Sequence, residues 1–308
     1  MLLGVYPVLS TPFHPDRSCD PTGLQGLVSY AARAGAHGCV YPAIASEFAT
    51  LTPDERHMMV DLVLSEARRR SLPVIVGISA DSPSHSASLA RQAAGGGAAA
   101  LMLMAPRSAG REPDSVADFF AASVEGAGDM PIVMQNAPPP LGSSLPVETV
   151  RAVLMRVPTI RYVKEENVPC GQRISGLLED PSAHLLGVMG GAGGRFVLDE
   201  YARGACGSMP ACEIIEAHVG IWDAVQAGDP LKARALFTRI LPLLNMGGVF
   251  RQSVVKYVLK RRGLIESHLF RDDNPSLDPF DIRELDAILA DLEELMIAHA
   301  EPALVAAQ

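Results

Sequence analysis

Ile160-Arg161-Tyr162-Val163-Lys164-Glu165-Glu166 is the stretch from which the fold can be read. Its β-branched and aromatic residues spell a short strand that ends in a lysine and runs into two acids. Side chains alternate along a strand, so Tyr162 and Lys164 share one face while Arg161, Val163 and Glu165 take the other. The chain has just three other lysines, Lys232, Lys256 and Lys260, all near the C-terminus, and elsewhere uses arginine as its cation. A lone lysine closing an apolar strand suggests a need for an amine. Arginine stays protonated, whereas a desolvated lysine can lose its proton near neutral pH. The competing reading is a strand-end lysine reaching into solvent.

Strand-like and helix-like segments alternate on both sides of this stretch. Strands are expected over 4–9, 38–43, 73–78, 99–104 and 131–135 before it, and over 184–189 and 206–211 after it. Amphipathic helices are expected between them, over about 22–34, 83–94, 113–126, 168–179 and 213–226, with others beginning near Pro146 and after the glycine run 190–194. Thr52-Pro53-Asp54-Glu55 marks a helix start, with threonine as cap, proline at the first position and Glu55 completing a capping box. Eight such units within about 225 residues predict a closed (β/α)8 TIM barrel over 1–226. A doubly wound sheet is the alternative, but no GxGxxG follows the first strand. Residues 227–308 show helical periodicity at 231–244, 250–262 and 281–296 and predict a C-terminal helical region packed on the barrel, with a tail at 302–308 expected to fray.

Bulk properties narrow the function. The 308 residues are 48% hydrophobic and 20% charged, with a net charge of −9, and no basic cluster stands out, since Arg68-Arg69-Arg70 closes a helix. That balance argues against nucleic acid and anionic membrane surfaces as partners. The start lacks the pattern of a signal peptide, and the apolar runs are too short to span a bilayer, so a cytoplasmic location is expected. Five scattered cysteines without a CxxC pair fit free thiols rather than zinc.

In such a barrel the C-terminal ends of the strands face the active site. Lys164 ends the sixth strand and Gln135 the fifth. Ala45, Ser46 and Glu47 follow the second, Gly190 and Gly191 the seventh, and Ser208 lies on the eighth. This set holds one amine, one amide, hydroxyls, a carboxylate and exposed backbone N–H groups, with no histidine pair or acidic cluster for a metal and no need of a cofactor. An amine in a closed pocket can condense with a carbonyl, and the protonated imine withdraws electrons from the adjacent carbon.

Gly4-Val-Tyr-Pro-Val-Leu-Ser-Thr-Pro-Phe13, Ser46-Glu47-Phe-Ala-Thr-Leu-Thr-Pro-Asp-Glu-Arg56, Asn136-Ala-Pro138, Val163-Lys164-Glu165 and Val255-Lys256 resemble the dihydrodipicolinate synthase / N-acetylneuraminate lyase family over nearly the whole chain. The resemblance implies a class I barrel, a homo-oligomer (dimer or, more usually in the family, tetramer), and Lys164 as the imine-forming residue. Departures are equally informative. Where the family carries Gly-Thr/Ser-Thr-Gly-Glu, this chain has Ala43-Ile44-Ala45-Ser46-Glu47, and Tyr-Asn-x-Pro has become Gln135-Asn136-Ala137-Pro138. The tyrosine–threonine proton relay is therefore missing, and an amide cannot act as acid or base at neutral pH.

Together with the Glu165-Glu166 pair and the glycine-rich seventh loop, these changes resemble the L-2-keto-3-deoxyarabonate dehydratase branch. The resemblance implies dehydration of a 2-keto-3-deoxy sugar acid. A pyruvate-releasing aldolase and a keto-acid-binding barrel without turnover are the alternatives. Ser46 and the backbone around Ala45 are expected to hold the substrate carboxylate, with a loop-capping role the competing reading of Ser46. Gln135 is expected to bond the imine region or a substrate hydroxyl. Glu47 is a candidate contact or base that could instead pin backbone, Ser208 and the paired glycines are candidate contacts, and Glu165 points away from Lys164.

Overall fold

Eight short parallel strands run, in the hydrogen-bonded order β1-β8-β7-β6-β5-β4-β3-β2, around a barrel in the computed structural model. The structure describes residues 1–297 apart from 141, 180 and 272, and the tail at 302–308 lies outside the described residues. The strands are β1 (Gly4–Val5), β2 (Cys39–Tyr41), β3 (Val74–Gly77), β4 (Ala100–Met104), β5 (Ile132–Asn136), β6 (Ile160–Glu165), β7 (Gly187–Gly190) and β8 (Gly207–Ser208). A parallel bridge between Val8 and Val40 closes the ring between β1 and β2, and Val8 bridges Ala211 as well. β1 and β8 are shorter than their apolar runs because Pro7 and Pro210 carry no N–H for the ladder.

Between and after the strands stand α1 (Pro21–Arg33), α2 (Pro53–Arg69), α3 (Pro83–Gly96), α4 (Pro113–Ser123), α5 (Val147–Arg156), α6 (Cys170–Glu179), α7 (Val197–Ala202) and α8 (Ile215–Gln226). The helix starts follow local chemistry. Thr52 accepts from the Glu55 N–H at 3.2 Å while Glu55 accepts from the Thr52 N–H at 2.9 Å, so the capping box forms as its sequence dictates. α1 begins one residue earlier than its periodicity suggests, because Asp20 caps the Gly23 N–H at 2.9 Å and Pro21 fits the first turn. Caps of this kind contribute about 1 kcal/mol each.

Beyond the barrel come α9 (Pro230–Phe250), α10 (Gln252–Arg261) and α11 (Pro279–Leu292). α9 runs past the expected end of its apolar stripe and breaks at Arg251, which sits at φ 50°. Arg262 ties this region to the barrel, donating to the Tyr30 hydroxyl at 2.7 Å and to Glu216 at 2.5 Å.

Two apolar layers result from strand alternation. Val8, Val40, Ile75, Met102, Val133, Tyr162, Met189 and Met209 fill the barrel interior. Val5, Tyr41, Val76, Leu101, Met134, Val163 and Val188 point outward and pack under the helices. Inside the barrel, the Tyr162 hydroxyl accepts from the Leu2 N–H at 2.8 Å, which settles the facing of β6.

Candidate active site

Because Tyr162 points inward, Lys164 two residues on does too, and it is buried at the C-terminal end of β6. Ladder register pairs Gln135 with Lys164 and Lys164 with Met189, so the amide of β5 lies beside the lysine in one row of the barrel. The next inward position after Lys164 is Glu166, just past the end of the strand. Its Oε1 lies 3.2 Å from Lys164 Nζ, and its Oε2 accepts from Gln135 Nε2 at 2.6 Å. One carboxylate therefore bridges the amine and the amide at the barrel mouth. Lys164 does not reach into bulk water; its partner is a carboxylate with 15% of its own side chain exposed.

Glu166 was not among the site residues expected from the sequence, although period-two alternation carried one step past the strand would have found it. Gly191 makes room for it: a Cβ there would stand 2.4 Å from Glu166 Cγ. Gly191 thus borders the candidate site by allowing this side chain to pass.

Two other expected site residues, Ser208 and Gly190, face away from the barrel interior. Ser208 faces outward, and its hydroxyl lies 2.8 Å from that of Tyr201 in the layer under the helices. Met209, not Ser208, is the inward residue at this end of β8. Gly190 likewise turns its Cα outward, where a Cβ would meet Glu200 Oε2 at 1.9 Å, so packing rather than a ligand accounts for this glycine. Ser46 is buried, donates to Leu9 O at 2.6 Å and accepts from the Ala43 N–H at 3.0 Å. Its hydroxyl staples the loop, the capping role rather than a free donor. Ala45 packs against the inner apolar cluster. Glu47 is buried in an ion pair with Lys256 and accepts from the Arg271 N–H at 2.6 Å, the pinning role.

Glu165 is turned away from Lys164. It accepts from Asn136 Nδ2 at 2.9 Å and from the Asn167 N–H at 2.8 Å, and it pairs with Arg173 at 3.2 Å. This outer network sets the β6 end, and with it the direction in which Glu166 leaves the strand.

Near it lies a second carboxyl of different character. Glu200, on α7, is fully buried, and its carboxyl has no hydrogen-bond partner beyond a weak one from the Cys170 thiol. Burial, with the charges of Asp199 and Glu166, pushes it up to about 8. Its folded value is raised above the unfolded one, so the fold binds a proton there that the unfolded chain releases between about 4.5 and about 8. Stability attributable to this group therefore falls as pH rises through that window, by up to about 5 kcal/mol. Glu200→Gln keeps the shape and removes the titration. The melting temperature of the variant relative to the parent should rise by about 5–10 °C between pH 5 and pH 8.5. Thermal unfolding at both pH values checks this, and a constant difference would mean that the carboxyl is hydrated.

A recess of about 220 Å³ lies to one side of the mouth, lined by Phe48, Arg56, Ser79, Asp81 and His85 among others, and Lys164, Gln135 and Glu166 are not part of it. Among the described residues no group of three or more His, Cys, Asp or Glu is placed to hold a metal ion. No described helix is long and apolar enough to cross a membrane.

A buried lysine at the C-terminal mouth of a (β/α)8 barrel stands where the imine-forming lysine of a Schiff-base lyase would stand. Comparison with known proteins agrees at that level. A sequence model of the Dihydrodipicolinate synthetase family matches residues 1–291. The 4-hydroxy-tetrahydrodipicolinate synthase of Rhizobium meliloti (strain 1021) is 28% identical over 305 residues, covering 94% of this chain and 98% of that one. The dihydrodipicolinate synthase structure from Rhodopseudomonas palustris superposes with a TM-score of 0.87 at 30% identity, covering 94% of this chain and 98% of that one. A catalytic lysine mutant of Ruminococcus gnavus sialic acid aldolase gives 0.85 at 19% identity, covering 95% and 96%, a likeness of fold alone. The chain belongs to the dihydrodipicolinate synthetase family, whose members are Schiff-base lyases.

Proposed function

We propose that this chain is a hydro-lyase that dehydrates a 2-keto-3-deoxy sugar acid through an imine on Lys164. The observation that carries the proposal is Glu166, held between Lys164 Nζ and Gln135 Nε2, with the glutamine standing where the synthases and lyases it resembles carry a tyrosine. The Lys164 amine attacks the C2 ketone, and water leaves as the imine forms. The protonated imine acidifies C3, and the Glu166 carboxylate takes the C3 proton to give an enamine. The enamine pushes out the C4 hydroxyl, which leaves as water with the proton that Glu166 returns. For a five-carbon substrate, loss of a C5 proton from the unsaturated iminium then gives an enol conjugated with the enamine. Protonation at C4 and C3, with loss of the enol proton, gives an aldehyde and restores the imine, and hydrolysis frees Lys164 and a 2,5-dioxo acid. Gln135 orients Glu166 without exchanging protons itself.

Cleavage between C3 and C4 requires a base on the C4 hydroxyl instead. The amide at Gln135 cannot supply one, so the outcome turns on Glu166, which this proposal assigns to the C3 proton. Association into a homo-oligomer belongs to the same proposal.

Product analysis tests the reaction. Incubation with a 2-keto-3-deoxypentonate is expected to give a 2,5-dioxo acid without pyruvate. Free pyruvate would mean an aldolase, and absence of any product across the isomers would mean a binder. Gln135→Tyr restores a phenol beside the lysine and should raise pyruvate release about tenfold or more over the parent. A flat cleavage rate would show that the missing phenol does not decide between elimination and cleavage.

A further inference from the structure

We propose that Lys256 and Arg271, both from the C-terminal region, are positioning residues for the keto acid, because they hold the 43–52 loop that rims the barrel mouth. The inference rests on reading that loop as the place where the substrate carboxylate sits.

The loop is an unfavourable one to form by itself. Two 3-10 turns, Ile44–Ser46 and Phe48–Thr50, meet at Glu47, which has φ 57° and ψ 38°. A residue with a side chain adopts this left-handed region at a cost, and persists there only when its surroundings hold it. Here the hold comes from far along the chain. Lys256 Nζ donates to Glu47 Oε1, and the Arg271 N–H donates to Oε2 at 2.6 Å, so both carboxylate oxygens are engaged. The Lys256 and Glu47 side chains are fully buried, and Lys256 Nζ also donates to Leu269 O at 2.9 Å. The Arg271 guanidinium reaches the far end of the same loop, donating to Thr50 O at 3.2 Å. It also forks onto Glu55, the capping residue of α2, at 2.7 and 2.8 Å. Both cations lie over the ring of Phe13, Lys256 at 4.2 Å and Arg271 at 4.4 Å. From the barrel side, Thr11 Oγ1 donates to Ser46 O at 2.6 Å.

A buried ion pair is weak evidence for stability, since apolar residues of similar size often do as well. What this one specifies is a conformation: it joins positions 209 residues apart and leaves the loop one place to sit. Backbone groups that bind an anion must be pre-placed to act together. The C-terminal helical region is then part of the binding site although it contributes no group to Lys164.

Borohydride trapping of pyruvate on Lys164 reads this directly, since it requires imine formation but neither dehydration nor cleavage. In Glu47→Gln/Lys256→Met, which removes both buried charges together, the half-saturating pyruvate concentration should rise about tenfold. Arg271→Gln, which keeps the Glu47–Lys256 pair, should raise it about threefold, and Arg271→Lys should fall between parent and Arg271→Gln. The trapping rate at saturating pyruvate should stay within about twofold of the parent in all three. An unchanged half-saturation in a folded variant overturns the proposal, as does a loss confined to the saturating rate. Should the double variant fail to fold, the Arg271 pair decides by itself. Failure of the dehydratase reading would show in product analysis and leave this titration intact.

Discussion

Glu166→Gln is expected to lower turnover of a 2-keto-3-deoxy acid by about 10²–10⁴-fold, the range for removal of a general acid–base group. The substitution is nearly isosteric, and its carbonyl oxygen can still accept from Gln135 Nε2, so the mouth should keep its shape. What disappears is a base next to the carbon that must lose a proton, and the acid that must return it to the leaving hydroxyl. Imine formation needs neither step, so borohydride should still trap a keto acid on Lys164, with a yield within about tenfold of the parent. The pairing of lost turnover with retained trapping is the diagnostic result, read by product assay and intact mass on one preparation. Turnover within about threefold of the parent would reduce Glu166 to a counter-ion for Lys164, given the 3.2 Å separation of the two groups.

Lys164→Arg should abolish both signals. Arginine retains the positive charge beside Glu166, so the ion pair and the neighbouring strand ends have little reason to rearrange. It has no nucleophilic nitrogen at neutral pH, so no imine forms. Turnover is expected to drop by at least about 10⁴-fold, since the covalent route is lost altogether. The reducible adduct should vanish from the mass spectrum, while the melting temperature stays close to that of the parent. The control is built into the chain: Lys256, the other buried lysine, is paired with Glu47 and lies over Phe13. An adduct that survives Lys164→Arg and maps to Lys256 would move the electrophilic chemistry to the wrong end of the site and sink the proposed mechanism.

The architecture and the inward lysine were legible in the sequence because both are carried by local patterns. Period-two alternation in 160–166, the capping box at Thr52 and Glu55, and the regular return of apolar strands depend on neighbours a few residues apart. The same alternation aimed Lys164 inward and Glu165 outward, as the structure has them. Ser208 shows where local reading stopped. As a polar residue on the eighth strand it was a natural candidate, but its facing follows from the register of β8 against β1 and β7, which placed it with Val5 and Gly190 on the outer layer.

Partner choice was the second thing hidden. Ser46, Glu47 and Glu166 are each polar residues at strand ends, and composition gives no ground for ranking them. Folding brought Lys256 and Arg271 onto Glu47, and Leu9 and Ala43 onto Ser46, while it left Glu166 against Lys164 and Gln135. By itself the sequence determined a (β/α)8 barrel with a helical C-terminal region and one inward lysine, since these rest on periodicity and the scarcity of amines. Only the tertiary structure decided which other polar side chains are held away from that lysine, because pairs such as Glu47 with Lys256 join segments far apart in the chain and depend on register and burial rather than spacing.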